Sequence, residues 1–395
     1  MKKKTFFGMI IFFLLFTLSA CDNGSSFSNE YISGVKTISA GDSHTVALKN
    51  DGTVFAWGLN DYGQLGDGTF TNSSTPVSVR APEVSAVTKP VRGLTGITAI
   101  SARGYRTVAL RNDGTVWAWG YNVGGELGDG THTNRNVPVQ VRDLTGITAI
   151  SAGELHTLAL RNDGTVWAWG KNYYGQFGDG TTANSDTPVQ IMGLTDVKAI
   201  SAGAFNTLAL KNDGTVWAWG RNSSGQLGNG TMEDSSVPVQ VSGLTDVIEI
   251  SAGFVSHATA LKNNGTVWAW GRNGYGQLGN GTLTDSSIPV QVNGLNDVIA
   301  ISAGDSHTVA LRNDGTVWDW GRNNYFQLGD GTSTNRNTPV QVIGLRTDAM
   351  AITAGGWHTV AIKNNHTVWS WGLNFSGQLG DGTTVDSYTP IQVRW

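Results

Sequence analysis

The sequence predicts an all-β protein, a seven-bladed β-propeller with four-stranded antiparallel blades. A segment of about fifty residues recurs seven times, and one segment of that length cannot bury both faces of a sheet without neighbours. The composition agrees, because 53 of the 395 residues are Gly and 15 are Trp, whereas charged residues make only 14%. Many glycines and large aromatics with few charges suit short strands, tight turns and burial on both faces.

Three markers define the repeat. The first is Ile-Ser-Ala-Gly or a close variant, which begins at Ile38, Ile100, Ile150, Ile200, Ile250, Ile301 and Ile352. The second is Trp-x-Trp-Gly, whose second Trp is Trp119, Trp169, Trp219, Trp270, Trp320 or Trp371, while the weaker first copy has Phe55 and Trp57. The third is Asn-x-x-Gly-Gln-Leu-Gly-Asp-Gly-Thr, as in residues 60–69 and 374–383. The markers predict one continuous array rather than several independent domains.

The third copy shows the order of the elements. Residues 146–152 predict a short strand and residues 156–160 an alternating second strand. Asn162-Asp163-Gly164 indicates a hairpin turn, because Asp-Gly accepts the positive φ that such turns require, and residues 165–169 form the return strand. After a long Gly-rich connection, residues 187–191 predict a fourth strand led by Pro. We expect the repeated Trp residues at the contacts between neighbouring blades.

Two ways of closing the ring are open. The Ile-Ser-Ala-Gly strand is small enough for a crowded axis, which would let each repeat form its own blade. If instead the short link before it, as in residues 193–196, is a hairpin within one blade, residues 390–395 would pair with the first copy and latch the ring. We favour the latch, because a ring without one has a separable seam.

One insertion interrupts the period. The first two Ile markers are 62 residues apart instead of 50, and the surplus lies near residues 81–92. We expect a tolerated surface loop there, and the alternative is a protrusion that contacts a partner.

The N-terminus is predicted to be a targeting segment. Residues 2–4 are Lys, and residues 6–18 form an apolar run that is short for a membrane span. Leu18-Ser19-Ala20-Cys21 resembles the lipobox of bacterial lipoprotein signal peptides, and Cys21 is the single cysteine of the chain. The expected organisation is therefore a signal peptide over residues 1–20, lipidation at Cys21, a flexible tether over residues 21–34, and the propeller over residues 35–395. An exported, lipid-anchored protein of a bacterial cell envelope follows from this.

The charge balance excludes several partners. The formal net charge is −4, and removal of a signal holding three of the 26 Lys and Arg would leave 23 against 30 acidic residues, a net charge of −7. No basic run occurs after residue 4. Nucleic acid and anionic membrane surfaces are therefore not expected partners, and membrane contact is expected through the lipid alone. A monomer without cofactors is the expected state.

The motifs resemble the repeat of the regulator of chromosome condensation family, whose fold is a seven-bladed propeller. The resemblance covers residues from about 36 to 395, and all seven copies carry the aromatic-x-Trp-Gly strand and the Gly-Asp/Asn-Gly-Thr loop. The family includes a nuclear exchange factor for a small GTPase and a secreted bacterial inhibitor of β-lactamases, so the resemblance implies the propeller fold and no single activity. This chain departs from the nuclear member in its export signal and its acidic surface, which argues against exchange activity here.

The repeated polar residues are predicted to be structural. Five copies have a His at one position, and the other two have Arg or Asn: His44, Arg106, His156, Asn206, His257, His307 and His358. A position that accepts Asn suits a hydrogen-bonding framework group better than a ligand or general base. Asp42-Ser43-His44 and Asp305-Ser306-His307 contain the residue types of a hydrolase triad, but neighbours on one short segment cannot easily converge into that relay. No catalytic residue is predicted.

Metal and phosphate sites are not predicted either. The Asp-Gly-Thr loops offer one carboxylate each, at Asp67, Asp129, Asp179, Asp330 and Asp381, and Asn229 and Asn280 replace Asp in the other two. Calcium usually requires six to eight oxygens, so these side chains are expected to cap their own turns. The glycines do not form a phosphate-binding loop motif.

The informative residues are those that do not repeat. One variable stretch follows the Ile-Ser-Ala-Gly strand and contains Tyr105, Leu155, Phe205, Phe254 and Trp357. The other follows Trp-Gly and contains Tyr62, Tyr121, Tyr173, Tyr174, Tyr275, Tyr325, Phe326 and Phe375. If successive strands alternate in direction, both stretches leave from the same edge of each blade, opposite the Asn-Asp-Gly turns. One face should therefore carry aromatics mixed with Ser, Asn, Asp and Arg221, Arg272 and Arg322.

This face is the predicted binding site. A constant framework that presents variable Tyr-rich loops is typical of rigid binding surfaces, and its twelve aromatic residues are the predicted partner-binding residues. A protein partner is favoured, and inhibition of a secreted or envelope hydrolase is one form that binding could take. The alternative is a cell-surface glycan-binding module, because flat aromatics also stack on sugar rings. A third hypothesis, a propeller hydrolase or lyase, needs an unrepeated acid and base in the channel, and the sequence singles out none.

Overall fold

The protein is an all-β, seven-bladed propeller whose blades are four-stranded antiparallel sheets, as the sequence predicts. The computed structural model describes residues 31–81, 94–254 and 257–395. Each sheet consists of four strands that are consecutive in the chain. No helix among the described residues has the length and apolarity of a membrane span.

The strands repeat with nearly constant lengths. Blades 1 to 4 comprise β1 (Val35–Ala40), β2 (His44–Lys49), β3 (Val54–Gly58) and β4 (Ser73–Ser78); β5 (Ile97–Arg103), β6 (Arg106–Arg111), β7 (Val116–Gly120) and β8 (Arg135–Gln140); β9 (Ile147–Ala152), β10 (His156–Arg161), β11 (Val166–Gly170) and β12 (Ser185–Gln190); β13 (Val197–Ala202), β14 (Asn206–Lys211), β15 (Val216–Gly220) and β16 (Ser235–Gln240). Blades 5 to 7 comprise β17 (Val247–Ala252), β18 (His257–Lys262), β19 (Val267–Gly271) and β20 (Ser286–Gln291); β21 (Val298–Ala303), β22 (His307–Arg312), β23 (Val317–Gly321) and β24 (Arg336–Gln341); β25 (Ala349–Ala354), β26 (His358–Lys363), β27 (Val368–Gly372) and β28 (Ser387–Gln392).

Local chemistry shapes each blade. In blade 3 the β10–β11 turn has Gly164 at φ 80°, and Asp163 Oδ1 accepts hydrogen bonds from the N–H and the hydroxyl of Thr165 at 3.0 and 2.6 Å. This pattern selects the Asp-Gly-Thr sequence at the turn. Pro188 lies inside β12 rather than at its start, between paired residues where the register with β11 shifts. The outer edge strand tolerates it, because an edge strand leaves part of its N–H row unpaired.

Large buried Trp side chains lie between neighbouring blades, as expected. The second Trp of each Trp-x-Trp motif is fully buried. Trp219 of blade 4, for example, packs with Leu158, Leu160 and Val166 of blade 3. Seven such clusters follow one another around the ring, and each joins two blades. The core is therefore distributed over the junctions, because a blade can bury its faces only against its neighbours.

The repeated His residues are framework groups, which confirms the sequence prediction. In five blades the His Nε2 lies 2.9–3.1 Å from a Thr hydroxyl of the next blade. At each of those junctions the Thr hydroxyl donates a hydrogen bond to a main-chain carbonyl of the preceding blade; Thr107, for example, donates to the Gln64 carbonyl. The hydroxyl oxygen therefore accepts a hydrogen bond from the imidazole. Burial lowers the pKa of these imidazoles to about 3, so that they are neutral at physiological pH.

The two exceptions to the His position have structural reasons. Arg106 donates from Nε to Thr157 of the next blade at 3.2 Å, so it keeps the contact. Asn206 stands at the junction of blades 4 and 5, where Ala258 replaces the Thr of the other blades. The His and its hydroxyl partner are thus lost together.

The ring closes without an exchanged strand, so the latch hypothesis is wrong. All four strands of the last sheet, β25 to β28, come from the seventh repeat. The link between repeats is not a hairpin within a blade: it carries the chain from one blade to the next and buries Leu194 in the core between them. Blades 7 and 1 meet through the contacts that most other junctions use, including the bond from Trp57 Nε1 to the Gln378 carbonyl at 3.0 Å.

The chain termini add a small contact at the same junction. Tyr31 and Arg394 form a single antiparallel bridge, and the rings of Phe55 and Trp395 meet edge to face at 4.9 Å. Ile32 is fully buried, so packing begins within the segment that the sequence analysis assigned to the tether. The predicted signal, Cys21 and nearly all of the 81–92 insertion lie outside the described residues.

Asp319 is a buried carboxyl at a position where five other blades have Ala, and it generates a stability prediction. Its Oδ1 accepts the Trp320 N–H at 2.9 Å, and burial raises its pKa well above the usual range. Asp319→Ala should increase the free energy of unfolding at pH 7 by about 1–3 kcal/mol, because burial disfavours the charged form of this carboxyl even though both of its oxygens have hydrogen-bond partners.

The increase in the free energy of unfolding caused by Asp319→Ala should become smaller towards pH 4. A carboxyl with a raised folded pKa favours folding while protonated and disfavours it as pH rises above its unfolded pKa of about 4. Denaturant unfolding of both proteins at pH 4 and 7 measures this. The matched control is Ala269→Asp, which places the same carboxyl in blade 5 and should destabilise. A gain independent of pH would contradict the assignment.

Candidate functional site

Two loops of each blade leave from the same edge, as the strand alternation predicts. In blade 3 these are the β9–β10 loop, residues 153–155, and the β11–β12 loop, residues 171–184. The Lys171 N–H donates to the Leu155 carbonyl at 2.8 Å, which joins the two loops. At the other end of the blade the Asn-Asp-Gly turn bonds to the inter-blade link, with Asn162 N–H to Gly146 O at 2.9 Å. We call the edge formed by the two loops of all blades the loop face.

Repeated side chains hold the long loops in place. In blade 1, Asn60 Oδ1 accepts the Leu65 N–H at 2.9 Å, and Gln64 Oε1 accepts the Tyr62 N–H at 3.0 Å. Asp67 Oδ1 accepts the N–H of Thr69 at 2.9 Å. Asn229 and Asn280 make the same turn contact. The Asp and Asn residues of these loops therefore cap their own turns, as predicted. Among the described residues, no group of three or more His, Cys, Asp and Glu could hold a metal ion.

Most of the predicted aromatic residues come together across the junctions. Tyr62 lies 5.1 Å from Tyr105 and 5.2 Å from Tyr121, centroid to centroid, and both partners belong to the next blade. Tyr174 meets Phe205 at 5.2 Å, and Tyr325 meets Trp357 at 5.6 Å. An aromatic residue in the long loop of one blade thus contacts an aromatic residue of the next blade. The partner lies in the short loop or, for Tyr121, at the start of the long loop. The rings of these pairs are half-buried, so part of each ring remains at the surface.

Three other predicted residues behave differently. Tyr173 and Phe375 directly follow the repeated Asn of their loops and are 57% and 58% exposed. Phe326 replaces a Gly that in six blades lies against the outer strand of the next blade. It adopts φ 66° and stacks on Tyr388 of β28 at 3.5 Å. Phe326 is therefore separate from the aromatic pairs described above.

Cationic side chains pack on these aromatics. The Arg221 guanidinium lies 5.3 Å from the Tyr174 ring and 5.5 Å from that of Phe205. Arg322 lies 5.0 Å from Tyr275 and 5.5 Å from Tyr325. Cation–π packing of this kind fixes long side chains in place. It explains why Arg and aromatic residues occur together in the variable stretches.

An unrepeated charged group at the axis was missed by the sequence analysis. It consists of Asp42, Arg103, Glu154 and Asp305, and the guanidinium of Arg103 lies 5.8 Å from the ring of Phe254. Blades 2 and 5 are three positions apart in a ring of seven, so Arg103 extends across the axial opening. Burial raises the pKa values of Asp42, Glu154 and Asp305, and for each of them Arg103 acts in the opposite direction.

The sequence contains a feature that could have singled out Arg103. It stands where six repeats have Gly, and a Cβ on Gly41 would overlap the ring of His44. In repeat 2 the His is Arg106, whose guanidinium turns to the carbonyls of Gly153 and Glu154 at 2.7 Å each. The change at residue 106 therefore makes room for a side chain at residue 103.

The two Asp-Ser-His segments do not form a catalytic hydrogen-bond relay. His307 Nε2 is 3.0 Å from the Thr359 hydroxyl in the blade junction. Ser306 Oγ donates instead to Asp305 Oδ2 at 3.3 Å, and the same oxygen accepts the Trp357 indole N–H at 3.1 Å. His44 likewise faces Thr107. Asp305 thus holds Trp357 in the loop face.

Family models match most of the chain. A model of the RCC1-like domain matches residues 26–256, and models of the regulator of chromosome condensation (RCC1) repeat match residues 264–311, 314–362 and 365–395. The ultraviolet-B receptor UVR8 of Arabidopsis thaliana is 36% identical over 107 residues, which are 27% of this chain and 22% of the receptor. The probable E3 ubiquitin-protein ligase HERC6 of Homo sapiens is 36% identical over 104 residues, 26% of this chain and 9% of the ligase. These segments span a minor part of either relative.

Solved structures show the same fold. Human WBSCR16 superposes with a TM-score of 0.72 at 24% identity, covering 86% of this chain and 94% of that protein. Prp20p of Saccharomyces cerevisiae, a protein studied for its binding to Gsp1p and histones, superposes with a TM-score of 0.74 at 22% identity, covering 88% of this chain and 87% of Prp20p.

The axial group generates a second stability prediction. Arg103→Gly restores the residue of the other repeats but removes the charge that favours the ionised forms of Asp42, Glu154 and Asp305. The loss of this charge should lower the free energy of unfolding at pH 7 by about 1–3 kcal/mol, and by less at pH 4. Without Arg103 the folded pKa values of Asp42 and Glu154 rise further, and such groups lose folding stability as pH increases. Thermal unfolding at both pH values tests this; Arg103→Lys, which keeps the charge, is the control. Equal losses at both pH values would refute the electrostatic account.

Proposed function

The chain belongs to the RCC1-like domain family, and on that premise we propose that it is a non-enzymatic binding scaffold which recognises a protein partner through its loop face. We further propose that the scaffold is exported and held at a bacterial cell envelope by lipid at Cys21. The first proposal rests on the different roles of repeated and unrepeated residues within the loops. Repeated Asn, Gln, Asp and Thr side chains fix the backbone, while the unrepeated positions carry aromatics.

The packing of these aromatics favours a protein over a glycan. Sugar rings stack on open aromatic faces, whereas Tyr62 meets Tyr121 edge-on and Tyr174 meets Phe205 edge-on. Half-buried aromatic and Arg side chains in well-packed groups are typical of the residues that dominate protein–protein binding. The binding of Gsp1p and histones by the similarly folded Prp20p is consistent with a propeller that serves as a protein-binding platform.

The axial group does not favour an enzyme. Its three carboxyls come from different blades and each is influenced by the charge of Arg103, which extends over the axial opening, so no acid and base stand together there as a catalytic pair. A finer proposal follows from the expected export and the family resemblance: the partner is a secreted or envelope hydrolase, and the propeller inhibits it by covering its active site.

A four-residue variant tests the binding face. Alanine at Tyr173, Tyr174, Tyr325 and Trp357 should weaken partner binding by at least about 100-fold, because a few buried aromatic contacts carry most of the affinity of such interfaces. The partner is first captured from native cells and identified by mass spectrometry, and its affinity for each variant is then measured by biolayer interferometry.

The matched control removes exposed apolar side chains from the opposite edge. Met192, Ile248, Ile299 and Ile343 are 70%, 52%, 54% and 53% exposed there, and their substitution by Ala should leave affinity unchanged. If the folded four-residue variant still binds the partner with undiminished affinity, the loop face is not the binding site. A glycan array should give no specific binder; a binder lost in the same variant would support the glycan-binding alternative.

The membrane anchor has its own test. Cys21→Ala should abolish labelling by an alkyne fatty acid fed to the cells and move the protein from the membrane fraction to the soluble fraction, because the lipid is the expected attachment. Ser19→Thr, which leaves Cys21 in place, should retain the label. Labelling that persists in Cys21→Ala would contradict lipidation at this residue.

A further inference from the structure

A cavity of about 290 Å³ opens on the loop face around blade 4. It arises because blade 4 has small residues where its neighbours have aromatics: Ser224 occupies the position of Tyr174 and Tyr275, and Ala204 lies in its short loop. Phe205 and Phe254 contribute apolar walls. A hollow of this size holds an amino-acid side chain with room for neighbouring backbone.

The polar groups of the cavity are cationic and hydroxylic. Arg221 and Arg272 line it together with Ser223 and Ser224. Within the described residues, neither guanidinium has a carboxylate within salt-bridge distance, in contrast to Arg135, which pairs with Asp129 at 2.8 Å. Two guanidiniums without an anionic partner in one hollow are unusual in a chain whose formal net charge is −4.

Arg221 is held ready for a ligand. Its guanidinium packs on Tyr174 and Phe205, and its Nε donates to Ser223 Oγ at 3.0 Å. The bond from Nε leaves the Nη donors available. An arginine fixed in this way loses little side-chain freedom on binding, which favours affinity.

Glu154, at the rim of the cavity, belongs to the axial group. The charged groups that act most strongly on it are Arg106, Arg103, Glu126 and Lys171 rather than the two cavity arginines, and its carboxylate lies over Gly104 of blade 2. It does not neutralise the cavity, but it repels a doubly charged phosphate more than a singly charged carboxylate.

We propose that this cavity binds the carboxylate of an Asp or Glu side chain on the protein partner. Arg272 and Arg221 pair with the carboxylate, the serine hydroxyls donate further hydrogen bonds, and Phe205 and Phe254 contact the methylene stem. The inference rests on the proposed function in that the loop face is the protein-binding surface, and it adds an acidic residue at the centre of the partner's epitope.

A small probe tests the cavity without the partner. The full mature chain, carrying Cys21→Ser to prevent lipidation and labelled with nitrogen-15, is titrated with N-acetyl-L-glutamate amide and, separately, with N-acetyl-L-glutamine amide. The side-chain Nε–H resonances of the arginines are followed by NMR. The glutamate compound should shift the Arg221 and Arg272 signals saturably, and the neutral glutamine compound should bind at least about tenfold more weakly, the ratio expected for a charge-assisted hydrogen bond.

Two variants sharpen the result. Arg272→Gln should weaken glutamate binding at least about tenfold while the melting temperature is unchanged. Arg322→Gln, which alters the equivalent arginine of blade 6 and lies outside the cavity lining, should leave glutamate binding intact. Equal shifts with both compounds, or full binding by Arg272→Gln, would overturn the proposal. If partner capture still requires the loop-face aromatics in that case, the proposed function stands and only the acidic-residue pocket is wrong.

Discussion

The structure depends on one repeated contact between blades. At six of the seven junctions a buried Trp donates its indole N–H to the main-chain carbonyl of the Gln or Glu in the preceding blade, at 2.9–3.0 Å. The same carbonyl usually accepts a Thr hydroxyl, which in turn faces the His ring. This arrangement fixes the spacing and rotation of neighbouring blades within an otherwise apolar contact. It also explains why the ring needs no exchanged strand, because blades 7 and 1 meet in the same way.

Departures from the repeat are compensated close by. Where Asn206 replaces His, the Thr of the next blade is Ala258; where Arg106 replaces His, the Gly beside it has become Arg103. In each case the second change lies at the position that faces the first in the repeat, so a residue and its usual neighbour change together. Asp319 is an exception, because its carboxyl is buried where five other blades carry the methyl group of Ala, and we find no structural reason for it.

This compensation lets a repetitive fold carry an asymmetric surface. The framework satisfies the backbone of the long loops with its own side chains, so the variable residues can differ without cost to folding. Aromatic pairs occupy several junctions, a cationic hollow occupies blade 4, and Arg103 covers the axis. The function that we propose uses this asymmetry, since a partner that reads one orientation of the ring must find features that do not recur seven times.

The sequence by itself determined the fold, the four strands of each repeat, the buried Trp and His framework, and the edge on which the variable loops meet. It could do so because these features depend on periodicity and local turn chemistry. Only the tertiary structure decided how the ring closes, that Phe326 turns towards Tyr388, and that Arg103 lies among three carboxyls from different blades. Those outcomes depend on distances between residues far apart in the chain, which a repeat pattern does not encode.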